Sequence, residues 1–243
     1  MLLNILILFL STFIAGAFLS IIPKKRPASF KHLLVFAGSY LFSITIIHLL
    51  PEIFRISENF ETVGFFVLLG FFLQVLLEHF TSGIEHGHLH HKNHFQVKSI
   101  FLLSALCLHA FLEGTLLAHP NIIQHHHGSG ALLIGIILHK VPAALALMSV
   151  LLYRNIKRPQ ALLLLFIFAL ASPMGLFLSD YLITIGVISE KTFIALFALV
   201  GGNFLHISTT IFFESSPEHK LNLSKLVMAV IGALVAVFAE SLI

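Results

Sequence analysis

Long apolar runs separated by short polar breaks dominate this chain. Windows of about 20 apolar residues, enough for a helix to cross roughly 30 Å of hydrocarbon, fall at 1–22, 32–51, 62–80, 99–118, 130–152, 160–184, 190–212 and 223–243. Breaks that hold Pro, Gly or charge lie between them, including Pro23–Lys31, Glu52–Glu61, His119–Gly130 and Tyr153–Gln160. The runs carry no polar stripe, as expected of helices whose outer faces meet lipid. The pattern predicts an all-α, polytopic membrane bundle of eight transmembrane helices. It forms one transmembrane domain over 1–243, with a His-rich cytoplasmic loop at 81–96 and no soluble domain.

Composition points the same way. Hydrophobic residues make up 58% of the 243 and charged residues only 10%, against about 25% charged in an ordinary soluble domain. Cys107 is the single cysteine, so no intrachain disulfide forms. The first apolar run has no basic segment before it; Lys24, Lys25 and Arg26 follow it instead. That order suits a retained first span rather than a signal peptide. Loops after the first, third, fifth and seventh spans hold eleven Lys and Arg residues, and the outer loops hold only Arg55 and Lys191. By the positive-inside rule both termini face outward, in a chain expected in the plasma (inner) membrane. The basic residues sit in short clusters, which argues against a nucleic-acid partner. The lipid bilayer is the expected surrounding, and a homodimer is left open.

The remaining basic residue, Lys140, lies inside a span, and it has company. Ionisable groups near the bilayer centre cost on the order of 2.5–3.5 kcal/mol each, so they usually face a polar interior. His48 lies late in the second span, in HLLPE; His109 and Glu113 in the fourth, in HAFLEG; His139 and Lys140 in the fifth, in HKVPAA; Asn203 and His206 in the seventh. His109 and Glu113, four residues apart, share one helix face. An imidazole and a carboxylate on one face supply half of a tetrahedral zinc site. His139, about ten residues into its span, lies roughly 15 Å deep, level with His109 counted from the other side. Two helices thus offer three ligands at one depth, with His48 a candidate fourth. Pro142 frees the carbonyl of Leu138 toward the same region. Asn203 and His206 follow Gly201 and Gly202 and either line an ion path or tie helices together.

HAFLEG followed by HKVPAA in the next span resembles the fourth- and fifth-span signatures of the ZIP (Zrt/Irt-like) metal transporters, and HLLPE resembles a common second-span element of that family. The resemblance implies a three–two–three helix arrangement with a metal site between the fourth and fifth helices, at His109, Glu113 and His139. It also implies transport of zinc toward the cytoplasm, with cadmium, iron and manganese as other candidate ions. No resident cofactor and no enzymatic activity are implied. Four positions depart from the family pattern: Ala110 follows the first His, Lys140 stands where an acid is common, Ala143 replaces the acid after the proline, and Ala144 replaces the glycine after that. A single-metal site is therefore expected, with the Lys140 ammonium in the second metal's place and paired with Glu113.

Two further His clusters lie outside the spans. His86, His88, His90, His91 and His94 are too irregularly spaced for a preformed structural site, and they suit weak capture of zinc, copper or nickel. His125, His126 and His127, with His119, lie on the opposite side. These boxes suggest a di-iron membrane oxygenase, but the charge bias puts the two clusters on opposite faces, where they cannot share irons. The H-E-x-x-H of a zinc protease is absent from the sequence. A membrane receptor that binds zinc without moving it is the competing function.

Overall fold

Each apolar run is helical over most of its described length. The structure is a computed structural model that describes residues 1–20, 29–81, 99–118, 128–214 and 223–242. Its helices are α1 (Leu2–Leu19), α2 (Ser29–Ile44), a π-helical turn (Thr45–Leu49), α3 (Leu50–Ile56), α4 (Phe60–Thr81), α5 (Ser99–Thr115), α6 (Gly128–Tyr153), α7 (Arg158–Thr184), α8 (Glu190–Glu214) and α9 (Leu223–Leu242). No strand occurs among the described residues. Among the described residues seven helical rods are long and apolar enough to cross a membrane, with α2, the π turn and α3 counting as one. The helix over Ser99–Thr115 is the short one, with 17 residues.

The second rod runs on to Ile56, past the predicted end at 51. Pro51 has no N–H to donate one turn back, and its ring crowds that carbonyl. The wider π turn just before it makes room, so the helix continues instead of breaking. Glu52, expected in an outer break, is buried inside this rod. Arg55 neutralises it, donating from Nε at 2.9 Å and from Nη2 at 2.6 Å. Farther along, α6 and α7 both end in a closed turn. A 6→1 hydrogen bond (Ile156 N to Leu151 O; Val187 N to Leu182 O) spans a residue at positive φ, Asn155 at 56° and Gly186 at 74°.

Without water to drive apolar faces together, helices in lipid associate through close backbone approach and polar contacts. Three pairs show this. A Cβ on Gly70 would meet the Leu199 backbone, and one on Gly202 would meet Val67 and Phe71, so α4 and α8 touch main chain to main chain. Gly114 backs onto the Ser172 carbonyl and Gly175 onto that of Phe111, which seals α5 against α7. Gly232 meets the Phe36 carbonyl while Ser39 Oγ donates to Ala229 O at 2.6 Å, joining α2 to α9.

These seams sort the helices into two groups. α5 packs on α7, α7 on α1 and α6, and α1 on α6; α4 packs on α8, α8 on α2, and α2 on α9; α2 also meets α6, and α4 meets α5, across the divide. One apolar core belongs to the first group alone, built from residues such as Ala110, Ala144, Leu147, Leu165 and Phe168. The other holds Leu41, Leu49, Phe197 and Phe204 and reaches Leu117, just past α5, and Leu132, near the start of α6. Large apolar side chains on α1, α4 and α9 remain exposed, as lipid-facing surfaces are.

Candidate metal centre

The buried polar residues of α5 and α6 converge at one point. His109 and Glu113 sit one turn apart on α5, and His139 and Lys140 come from α6. Only 1–3% of each is exposed. Glu113 is the hub, and its two oxygens face different partners. Oε1 lies 3.0 Å from His109 Nε2 and 3.8 Å from His139 Nε2. Oε2 accepts from Lys140 Nζ at 2.6 Å. The imidazoles stand edge to face with centroids 5.8 Å apart.

One ligand atom from each of His109, Glu113 and His139 lies within 4.8 Å of the others. Zinc held at about 2.0–2.1 Å by a tetrahedral set has ligand atoms about 3.3 Å apart. The two separations from the Glu113 oxygen, 3.0 and 3.8 Å, bracket that spacing, and the one between the imidazoles is at most 4.8 Å, so closing on an ion needs the imidazoles to draw together. The same atoms are poor for a hard, larger cation, which needs six or more oxygens.

Lys140 is held by more than its carboxylate. Its Nζ also donates to Ser172 Oγ on α7, whose hydroxyl donates on to the Ala110 carbonyl at 2.5 Å. The Phe168 ring lies 5.8 Å from the ammonium. Ser172 thus joins the cluster, and sequence reading missed it. A Ser–Pro step (Ser172–Pro173) inside the otherwise apolar stretch Ala161–Leu178 was the available signal. Ala110 and Ala143, where second-metal ligands would stand, are buried in the apolar core of the α1, α5, α6 and α7 group.

His48, the candidate fourth ligand, is not brought to this cluster. Its Nδ1 pairs instead with Glu240 Oε1 at 2.9 Å, across from α9. The register explains why: Tyr40 already meets the first turn of α6, donating to Ala131 O at 3.1 Å. His48 lies eight residues farther along the same rod, about 12 Å beyond that contact, whereas His139 lies deeper in α6. His206 and Asn203 lie between α8 and α4, where His206 Nε2 sits 3.3 Å from Glu78 Oε2. The loop residues His86, His88, His90, His91, His94, His125, His126 and His127 lie outside the described residues.

Comparison with protein-family models matches residues 85–240 to the family described as Zip, the ZIP zinc transporters. No curated protein matches the chain.

Proposed function

The chain belongs to the ZIP zinc transporter family, and from that premise we propose that it carries zinc or a similar divalent ion toward the cytoplasm through the His109, Glu113 and His139 cluster. One observation carries this reading: two imidazoles and a carboxylate oxygen, all buried among membrane-spanning helices, lie at zinc-ligand spacing. Burial of such groups is costly, and a transient ion is the occupant that repays it. On this reading the chain is an integral membrane protein whose spans form a three–two–three bundle. The helix over Ser99–Thr115 is its eighth span, both termini face outward, and zinc is cargo rather than a resident cofactor.

The site holds one ion. A second would need the place of the Lys140 ammonium. Even the first feels that charge: a dication about 5 Å from an ammonium, at an effective dielectric near 20, is repelled by on the order of 7 kcal/mol. Lys140 also neutralises Glu113 when no ion is bound, so the empty site carries no net charge through the membrane. The design favours quick release over tight binding. Because the ligands are closed to both sides, access requires movement of helices. The α1, α5, α6 and α7 group has a core of its own, which suits it to slide or rock as a unit against the other helices, bearing the site with it.

Uptake of radioactive zinc into proteoliposomes tests the proposal. The purified chain should accumulate the ion, and His109→Ala or His139→Ala should cut the initial rate by about 10-fold or more, as loss of one of three ligands implies. Saturable zinc binding with no accumulation would instead identify a membrane receptor and overturn the transport reading. Anomalous scattering at the zinc edge should give one peak between α5 and α6. Two peaks there would end the single-ion interpretation.

A further inference from the structure

Polar side chains also gather away from the α5/α6 site, in the seam between α4 and α8. The glycine contacts fix which faces meet: Val67, Gly70 and Phe71 of α4 lie against Leu199 and Gly202 of α8. At about 100° per residue, Gln74 and Glu78 fall on that same stripe of α4. Asn203 and His206 fall on the matching stripe of α8. Four polar side chains therefore enter one tightly closed seam.

Two of them touch. His206 Nε2 lies 3.3 Å from Glu78 Oε2, and its ring is braced edge-on by Phe71 at 4.9 Å between centroids. Asn203, one turn before His206, is 0% exposed, and among the described residues neither its carboxamide oxygen nor its nitrogen has a hydrogen-bond partner. Burying a carboxamide with nothing to satisfy it is unfavourable. A plain helix seam closed by glycines has no use for it, since Ala would pack there at no such penalty. An ion or an ion's hydration water accounts for the carboxamide, and the neighbouring imidazole and carboxylate say which kind of ion. Nitrogen with carboxylate oxygen suits a borderline transition metal. The His206–Glu78 separation already matches the roughly 3.3 Å between ligand atoms around tetrahedral zinc.

We propose that Glu78, Asn203 and His206 form a second binding site for a divalent transition-metal ion such as zinc, distinct from the α5/α6 site. Glu78 and His206 are the charged and imidazole ligands, and the Asn203 carboxamide supplies a neutral oxygen. Glu78 lies three residues from the end of α4 and His206 eight from the end of α8, which puts the site toward the cytoplasmic side in the orientation proposed above. It would receive the ion after the α5/α6 ligands let go. Only this direction of travel rests on the transporter reading; the ligand set does not.

Crystals of the full chain soaked in zinc chloride and measured at the zinc edge decide the matter. A peak is expected at about 2.0–2.2 Å from His206 Nε2 and a Glu78 oxygen, in addition to the one at His109, Glu113 and His139. His206→Gln keeps a hydrogen-bonding side chain but not a good zinc ligand. It should remove the seam peak alone and slow zinc uptake several-fold, and Glu78→Gln should do the same. A peak at the α5/α6 site with none in the seam of the wild-type chain would overturn this second site and leave the transporter reading standing. A seam peak that survives both substitutions would also overturn it. The reverse pattern, a seam peak without one at His109, would leave this site standing and sink the proposed cargo site.

Discussion

Glu113→Gln is expected to abolish zinc uptake and to destabilise the whole bundle, while adding Lys140→Met restores the fold but not the transport. The carboxylate has two duties that the double substitution separates. Toward α6 it neutralises an ammonium only 1% exposed, at 2.6 Å. Removing one member of a buried ion pair strands the other and typically costs about 3–5 kcal/mol. Gln keeps the shape and offers Lys140 only a neutral oxygen. Replacing the ammonium as well, with an apolar side chain of similar length, removes the stranded charge, and such double replacements are often neutral. Toward the imidazoles, however, Oε1 is the anionic ligand, and neither substitution returns it. Thermal melting in detergent should show a large drop for the single variant and recovery for the double, with uptake near background in both. Wild-type stability in Glu113→Gln would show that the pair is not the buried bridge described. Wild-type uptake in the double variant would remove Glu113 from the ion's path.

The second large effect is expected at a residue with no chemistry of its own. Gly114→Ala adds a single carbon, yet that carbon would overlap the Ser172 carbonyl of α7. Nothing flexible is there to yield, so the helices must part. The facing contact of Gly175 on the Phe111 carbonyl must open with them. Overpacking of this kind typically costs about 1–3 kcal/mol. The functional loss should be larger in proportion, since Glu113 is the adjacent residue and Ser172 holds Lys140. Displacing either by about 1 Å can lower a rate on the order of 100-fold. Gly64→Ala serves as the control, because a Cβ there has open space around it. Helix propensity alone should then leave that variant unchanged or more stable by up to about 1 kcal/mol. Melting temperature and uptake measured on both variants check the pair. Equal behaviour of the two would mean that α5 and α7 do not meet through these glycines.

Much of this was written in the order of residues. The spans follow from the length of apolar runs against the thickness of the bilayer, and the α5/α6 site from polar groups that a membrane tolerates only for a reason. His109 and Glu113 needed no structure, since four residues along a helix fixes a shared face. His139 was reachable by counting depth. The resemblance to ZIP transporters rested on short motifs, of which HAFLEG and HKVPAA lie within the family match and HLLPE before it.

Other features could not be read that way, and one physical cause explains them. A helix that is apolar on every side does not say which side faces its neighbours, because lipid and protein interior are equally apolar. Rotation about the axis and choice of partner are settled only when all helices pack. His48 was expected as a fourth ligand, whereas the register of its rod against α6 sets it beside Glu240 instead. Ser172 was one hydroxyl in an apolar run until α7 met α5 through two glycines and set it beside Lys140. Glu78 and His206, 128 positions apart, became neighbours only because α4 and α8 close on each other. Sequence alone determined what crosses the membrane and which costly groups it carries, since local length and spacing decide both. The tertiary structure decided which of those groups meet, since that depends on contacts between helices that the chain does not join.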